Sequence, residues 1–192
     1  MAHDPDLPAA PGAGGTDDDA ARTAAPARAR RRLADTTLAL GPLDGRYRAA
    51  VAPLVDHLSE AALNRERVHV EVEWLIHLTS HHVVPGAPTL SSEERDHLRA
   101  IVDEFDERTV AELAATERIT VHDVKAVEYL LKRRLAEAPQ ALGPDTVLPR
   151  VTELVHFACT SEDVNNLAYA LMVRGAVEQV WLPAARALVA DV

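Results

Sequence analysis

Two four-residue stretches of this sequence share a spacing that could hold an anion. TVHD (120–123) and TSED (160–163) are both T-x-x-D, the capping-box spacing with Asp in place of the usual Glu or Gln. In such a box the threonine caps a helix and the acid reaches back from the first turn. Thr120 and Thr160 are therefore the expected caps, with Asp123 and Asp163 as their partners. That places His122 in the first turn of one helix and Ser161 at the first helical position of another. The free N–H groups and positive dipole end of a helix N-terminus attract carboxylates and phosphates. The same field favours a neutral imidazole at His122, suited to giving or taking a proton near neutrality. A cap alone explains most boxes of this kind. What sets the second apart is the polar run Glu162, Asp163, Asn165 and Asn166. Asparagine is a weak helix former, and a helix built only for packing has little use for two in its opening turns.

LDGRYR (43–48) is a third candidate. Asp44-Gly45 is a turn signal, and Arg46 and Tyr47 follow on the lip of the next helix. Arginine grips carboxylate or phosphate with two prongs, and tyrosine adds a hydroxyl and a ring face for a base. The chain's single cysteine, Cys159, sits three residues after His156 and suggests a thiol nucleophile with its base. A reactive thiol needs exposure and positive surroundings. The approach ELVHFAC is apolar instead, so a buried cysteine behind the cap is the better reading. There is no HExxH, no CxxC and no phosphate-cradling glycine loop, so neither a metal nor any other cofactor is expected.

These residues need helices to position them, and the pattern from Thr36 onward is helical. LSSEERDHLRAIVDEFDE opens on a serine cap and then sets Leu98, Ile101, Val102 and Phe105 on one stripe. In VHVEVEWLIHL, Val68, Val70, Val72 and Trp74 alternate as in a strand, but Val68, Val72, Leu75, Ile76 and Thr79 also share a helical face. No Gly or Pro interrupts Leu58 to His82, and that length decides for a helix. PGAP (85–88) and APQALGPDTVLP (138–149) read as loops. In the last segment Gly175 and Pro183 should interrupt the apolar pattern, Pro183 kinking or restarting the helix. The sequence then stops inside that pattern, at RALVADV, which suggests the front part of something longer.

Residues 1–35 are rich in Ala, Pro, Gly and Asp, turn basic at Arg28, Arg30, Arg31 and Arg32, and are expected to be a disordered extension. Across all 192 residues, 47% are apolar but only 4% aromatic, a mix that favours packed helices. A formal charge of −10 argues against nucleic acid or an anionic membrane as partner. It leaves room for a small anion held by local donors. One cysteine allows no internal disulfide, and no apolar run has the length of a membrane helix, so a soluble cytoplasmic protein is expected.

LDGRYR, HDVKAVEYLLK and HFACTSEDVNN, in this order and at these separations, resemble the adenylosuccinate lyases of the fumarase/aspartase superfamily. The closest likeness is to the bacterial DGRY type, and it runs from about Leu38 to Val192. The resemblance implies an all-α fold: an N-terminal helical domain over 36–150, then the first helix of a central helical bundle over 151–192. It implies elimination of fumarate from adenylosuccinate to give AMP, and from the succinyl-carboxamide ribotide of purine synthesis. On that model Arg46 and Tyr47 bind the nucleotide part of the substrate. His122 and Asp123 shape the site around the leaving group and ribose phosphate, with His122 as a supporting acid/base or orienting group. Thr160 and Ser161 hold a succinyl carboxylate.

The family's main proton-transfer residues, a histidine in Thr-His-Gly-Gln and a serine in a mobile loop, match nothing in this chain, so the chain alone is expected to be inactive. Val121 stands where the family has Asn, which removes one amide from the pocket. Family members are homotetramers, so exposed apolar surface is expected on Val164 to Val192. The alternatives are another fumarate-releasing lyase or cycloisomerase of the superfamily, and a non-catalytic helical interaction module.

Overall fold

The computed structural model describes residues 41–191, which belong to one structural unit; the extension expected over 1–35 lies outside them. Every regular element among the described residues is helical. After turns over 41–47 come the short helices α1 (Arg48–Val51) and α2 (Val55–Leu58), joined by a 3-10 turn at Ala52–Leu54. Four longer helices follow: α3 (Glu60–Ser80), α4 (Ser92–Asp103), α5 (Glu107–Thr120) and α6 (Asp123–Glu137). A short α7 (Pro139–Leu142) and a 3-10 segment (Leu148–Leu154) lead to α8 (Ser161–Ala176). A π-helical turn at Val177–Trp181 then carries the chain into α9 (Leu182–Ala190).

Helix α3 is the central helix of the described residues. Its start is fixed by Ser59, whose Oγ accepts the N–H of Ala62 at 3.1 Å. Val68, Val72, Leu75, Ile76 and Thr79 are buried, whereas Val70 is half-buried, so the 3.6-residue period overrides the alternation in VHVEVEW. One side of α3 packs on α8, and α4 and α6 pack on it as well. The apolar core joins Val68, Val72 and Leu75 to Leu98 of α4, Leu113 of α5 and Val127, Leu130 and Leu131 of α6. The expected stripe on α4 is present: Leu98 is fully buried, and Ile101, Val102 and Phe105 pack against the core. Ser91 and Glu94 form a full capping box there, and Glu94 also accepts the hydroxyl of Thr146 and the N–H of Val147.

Two expectations from the sequence are corrected, and the one for Pro183 is met. The stretch 138–149 is not all loop: Pro139 opens α7 at a position where no N–H is needed, and the 3-10 segment begins at Leu148. Gly175 does not interrupt α8. It lets α2 approach, since a Cβ there would lie 2.7 Å from Nδ1 of His57. Pro183 restarts the helix by way of the π turn, which absorbs the carbonyl its ring would displace.

Candidate functional site

The N-terminus of α8 is built as its spacing predicts. The Oγ1 of Thr160 accepts the N–H of Asp163 at 3.3 Å, and Asp163 Oδ2 accepts both the N–H and the hydroxyl of Thr160 at 2.8 Å. The Thr160 N–H and hydroxyl together hold the Asp163 carboxyl below its usual pKa. This box leaves Thr160 little hydrogen-bonding capacity. Ser161, at the first helical position, makes no side-chain hydrogen bond among the described residues, so its hydroxyl and the N–H groups of Ser161 and Glu162 remain for a ligand. The adjacent asparagines separate in role: Asn166 donates to Glu162 at 3.0 Å, and Asn165 points inward.

The start of α6 differs from its twin. Thr120 is not a helix cap; it is the last residue of α5, and its hydroxyl donates to the carbonyl of His122 at 3.0 Å. The cap of α6 is His122 itself, whose Nδ1 accepts the N–H of Lys125 at 3.2 Å. The cause is Val121, which takes a left-handed conformation (φ 51°, ψ 33°), ends α5 and shifts the start of α6 by two residues. A backbone N–H can only donate, so capping fixes the neutral ring as the Nε2–H tautomer, with an exposed donor facing outward.

Asp123 does not reach back to Thr120. Its Oδ1 accepts the N–H of Val124 at 2.8 Å, and its Oδ2 pairs with Arg67 at 2.6 Å. Partial burial works to raise the Asp123 carboxyl, but the Val124 N–H and the Arg67 guanidinium outweigh it and leave the pKa below its usual value.

A row of polar side chains on the inward side of α3 holds these termini, and sequence reasoning missed it. Arg67, with a side chain only 5% exposed, bonds Asn64 Oδ1 at 3.0 Å, Asp123 Oδ2 at 2.6 Å and Asn165 Oδ1 at 2.9 Å. One turn on, buried Glu71 accepts the N–H of His156 at 3.0 Å and pairs with its ring Nδ1. The Nε2 of His156 lies 3.9 Å from Glu128, which Lys125 pairs at 2.6 Å. Burial pushes the Glu71 carboxyl up despite His156. Trp74 then donates its indole N–H to the carbonyl of Phe157 at 2.8 Å. These ties hold a loop in which His156 and Ala158 both have positive φ, a conformation that needs support from its surroundings. The signal available in the sequence was Asn64, Arg67 and Glu71 at helical spacing beside Val68, Val72 and Leu75: charged groups at core positions of an apolar face.

Arg46, Tyr47 and Cys159 are the remaining candidates. Tyr47 caps α1 and is half exposed, with the guanidinium of Arg46 4.8 Å from its ring centroid. Cys159 is partly exposed rather than buried, on a groove of about 910 Å3 between α3 and α8 that Trp74, His77, Leu167 and Leu171 also line. Burial and the charges of Glu71 and Asp163 raise its thiol pKa, the opposite of an activated nucleophile. Among the described residues no cluster of three or more His, Cys, Asp or Glu side chains is placed to hold a metal, and no helix is long and apolar enough to cross a membrane.

A family model described as lyase matches residues 45–191. Over 151 residues the chain is 44% identical to the adenylosuccinate lyase of Escherichia coli strain K12, covering 79% of the chain and 32% of that protein. The adenylosuccinate lyase of Haemophilus influenzae is 43% identical over 157 residues, 82% of the chain and 33% of the relative. That of Legionella pneumophila strain Corby is 40% identical over 145 residues, 76% and 30%. The chain thus spans about a third of the length of the curated relatives it matches.

Proposed function

Because the chain belongs to the lyase family whose model spans residues 45–191, we propose that it forms part of an adenylosuccinate lyase, releasing fumarate from adenylosuccinate and from the related carboxamide ribotide. The observation that carries this reading is the N-terminus of α8, where the Thr160–Asp163 box leaves the Ser161 hydroxyl and the N–H groups of Ser161 and Glu162 free for a carboxylate. In the elimination a base takes the proton next to a succinyl carboxylate, the carbon–nitrogen bond breaks, and an acid returns a proton to the departing nitrogen. Ser161 holds the carboxylate, with Thr160 shaping its cradle. His122 offers its Nε2–H toward the leaving group and ribose phosphate, and Asp123 sets the helix start beside it. Arg46 and Tyr47 bind the nucleotide part.

The proton-transfer pair comes from elsewhere in a homotetramer, for which the segment from residue 151 is the start of the central bundle. The setting is the cytoplasm. The similarity to relatives of which the matched residues make up only 32% supports that division of labour.

The test is fumarate release from adenylosuccinate by the full-length protein that carries this chain. Ser161→Ala is expected to lower kcat/KM by about 10²-fold, as loss of one positioned donor does, while Cys159→Ala leaves it near the unsubstituted value. The reverse order would remove Ser161 from the site. The 192-residue chain alone is expected to release no fumarate.

A further inference from the structure

We propose that Arg67 is the positioning residue that holds the first turns of α6 and α8 in one arrangement, so that the two anion-attracting helix ends work as a single site. This rests on the reading of those ends as substrate-binding. The guanidinium bonds side chains of three elements at once: Asn64 on its own helix, Asp123 at the first position of α6, and Asn165 in the second turn of α8. Its planar fork satisfies all three with separate nitrogens, Nε, Nη1 and Nη2, which a lysine ammonium on a flexible stem cannot do in the same geometry.

The pairing also explains two features of the sequence. Asn165 is a poor helix former placed where α8 faces α3, and its oxygen accepts the Arg67 Nε–H. Asp123 is not a cap: it faces the cation, and with both oxygens engaged by Val124 and Arg67 its task is to hold the start of α6. The buried guanidinium needs this anion and the two amide oxygens to replace lost water. Loss of any of them therefore frees the two helix ends to move relative to one another. Glu71, one turn on, makes the matching tie to the loop before Thr160.

The experiment uses the full-length protein with Arg67→Lys, Arg67→Met and Asn165→Ala. Arg67→Lys is expected to fold and to lose about 10²-fold in kcat/KM, the size of effect that an ångström of misplacement produces. In Arg67→Met the acid limb of the kcat/KM profile is expected to move toward neutral pH, because Asp123 loses the cation that keeps it ionised. A residue that merely stabilises the fold would lower the melting temperature and leave that limb in place. If Arg67→Met does not fold, Asn165→Ala carries the test, since it removes one acceptor and no charge: a lower kcat/KM with an unmoved acid limb supports the proposal.

Unchanged kcat/KM in Arg67→Lys, or an unmoved acid limb in a folded Arg67→Met, overturns it. If the unsubstituted protein releases no fumarate, the proposed function fails by itself. The clasp is then decided by NMR titration of the Asp123 carboxyl, whose pKa rises in Arg67→Met if it exists and stays in place if it does not.

Discussion

Val121 carries a β-branched side chain in the left-handed region, 88% exposed, with no packing in return. Of the non-glycine residues, Asn tolerates this conformation best, because its short amide can bond the local backbone. The geometry by itself favours Asn at this position, independent of any ligand. Val121→Asn is therefore expected to stabilise the chain by about 1 kcal/mol, read as a higher urea midpoint at constant m-value. The substitution also bears on the site, since Val121 ends α5 and so decides that His122 rather than Thr120 caps α6. A T-x-x-D spacing is legible in sequence. Which of two adjacent residues turns left-handed is not, because nothing in TVHD favours a valine for that task. At Cys159 the thiol lies near two carboxylates and is partly desolvated. Alkylation by iodoacetamide at pH 7.5 is accordingly expected to run slower than for free cysteine; a faster rate would return the thiol to the list of nucleophiles.

Among the elements, α8 shows how a glycine can be misread. In a helix interior Gly costs roughly 1 kcal/mol against Ala, and that cost made Gly175 look like a break. The approach of α2 is the compensation, because His57 occupies the space a Cβ would take. Gly175→Ala is expected to destabilise the chain. In a His57→Ala background the same change should instead stabilise it by up to about 1 kcal/mol. Denaturant unfolding of the four proteins of this double-mutant cycle gives the sign directly, and additive effects would remove His57 as the cause. Helix α3, by contrast, was legible from length and the absence of breakers. Its polar row was overlooked because Arg67 and Glu71 look like ordinary surface charges until α6 and α8 are packed over them.

For the molecule as a whole, pH acts on stability from both sides. The carboxyls of Glu73, Glu112 and Asp123 have folded pKa values below their usual ones. For Glu73 the cause is the Arg99 hydrogen bond, while for Glu112 partial burial is outweighed by Arg134 and Arg133. The stability these groups add is present above the ordinary carboxylate range and is lost as pH falls through the lowered values. His69 runs the other way. Its hydrogen bond to Glu66 raises its pKa above the usual 6.5, so its contribution is full below 6.5 and is lost as pH rises through the raised value. His69→Gln is expected to flatten the decline in stability on the alkaline side of 6.5 and, because the His69 hydrogen bond is the main cause of the lowered Glu66 carboxyl, to weaken the acid-side dependence as well, as followed by unfolding midpoints across pH. The exposed apolar residues Leu167, Val173, Trp181, Leu188 and Val189 on α8, the π turn and α9 give a further expectation at this scale. The sedimentation coefficient of the chain should rise with protein concentration, and a monodisperse monomer would count against an assembly surface there.

The sequence by itself determined that the described residues are helical, that Thr160 and Asp163 box the start of α8, and that Ser161 is offered there. Each of these depends on side chains within four positions of one another, and local spacing governs such contacts. Tertiary structure alone decided that Arg67 joins α6 to α8, that Glu71 latches His156, and that Gly175 is a point of approach. The physical reason is separation along the chain. Arg67 lies 56 residues from Asp123 and 98 from Asn165, and a buried cation finds its partners only where packing has excluded water.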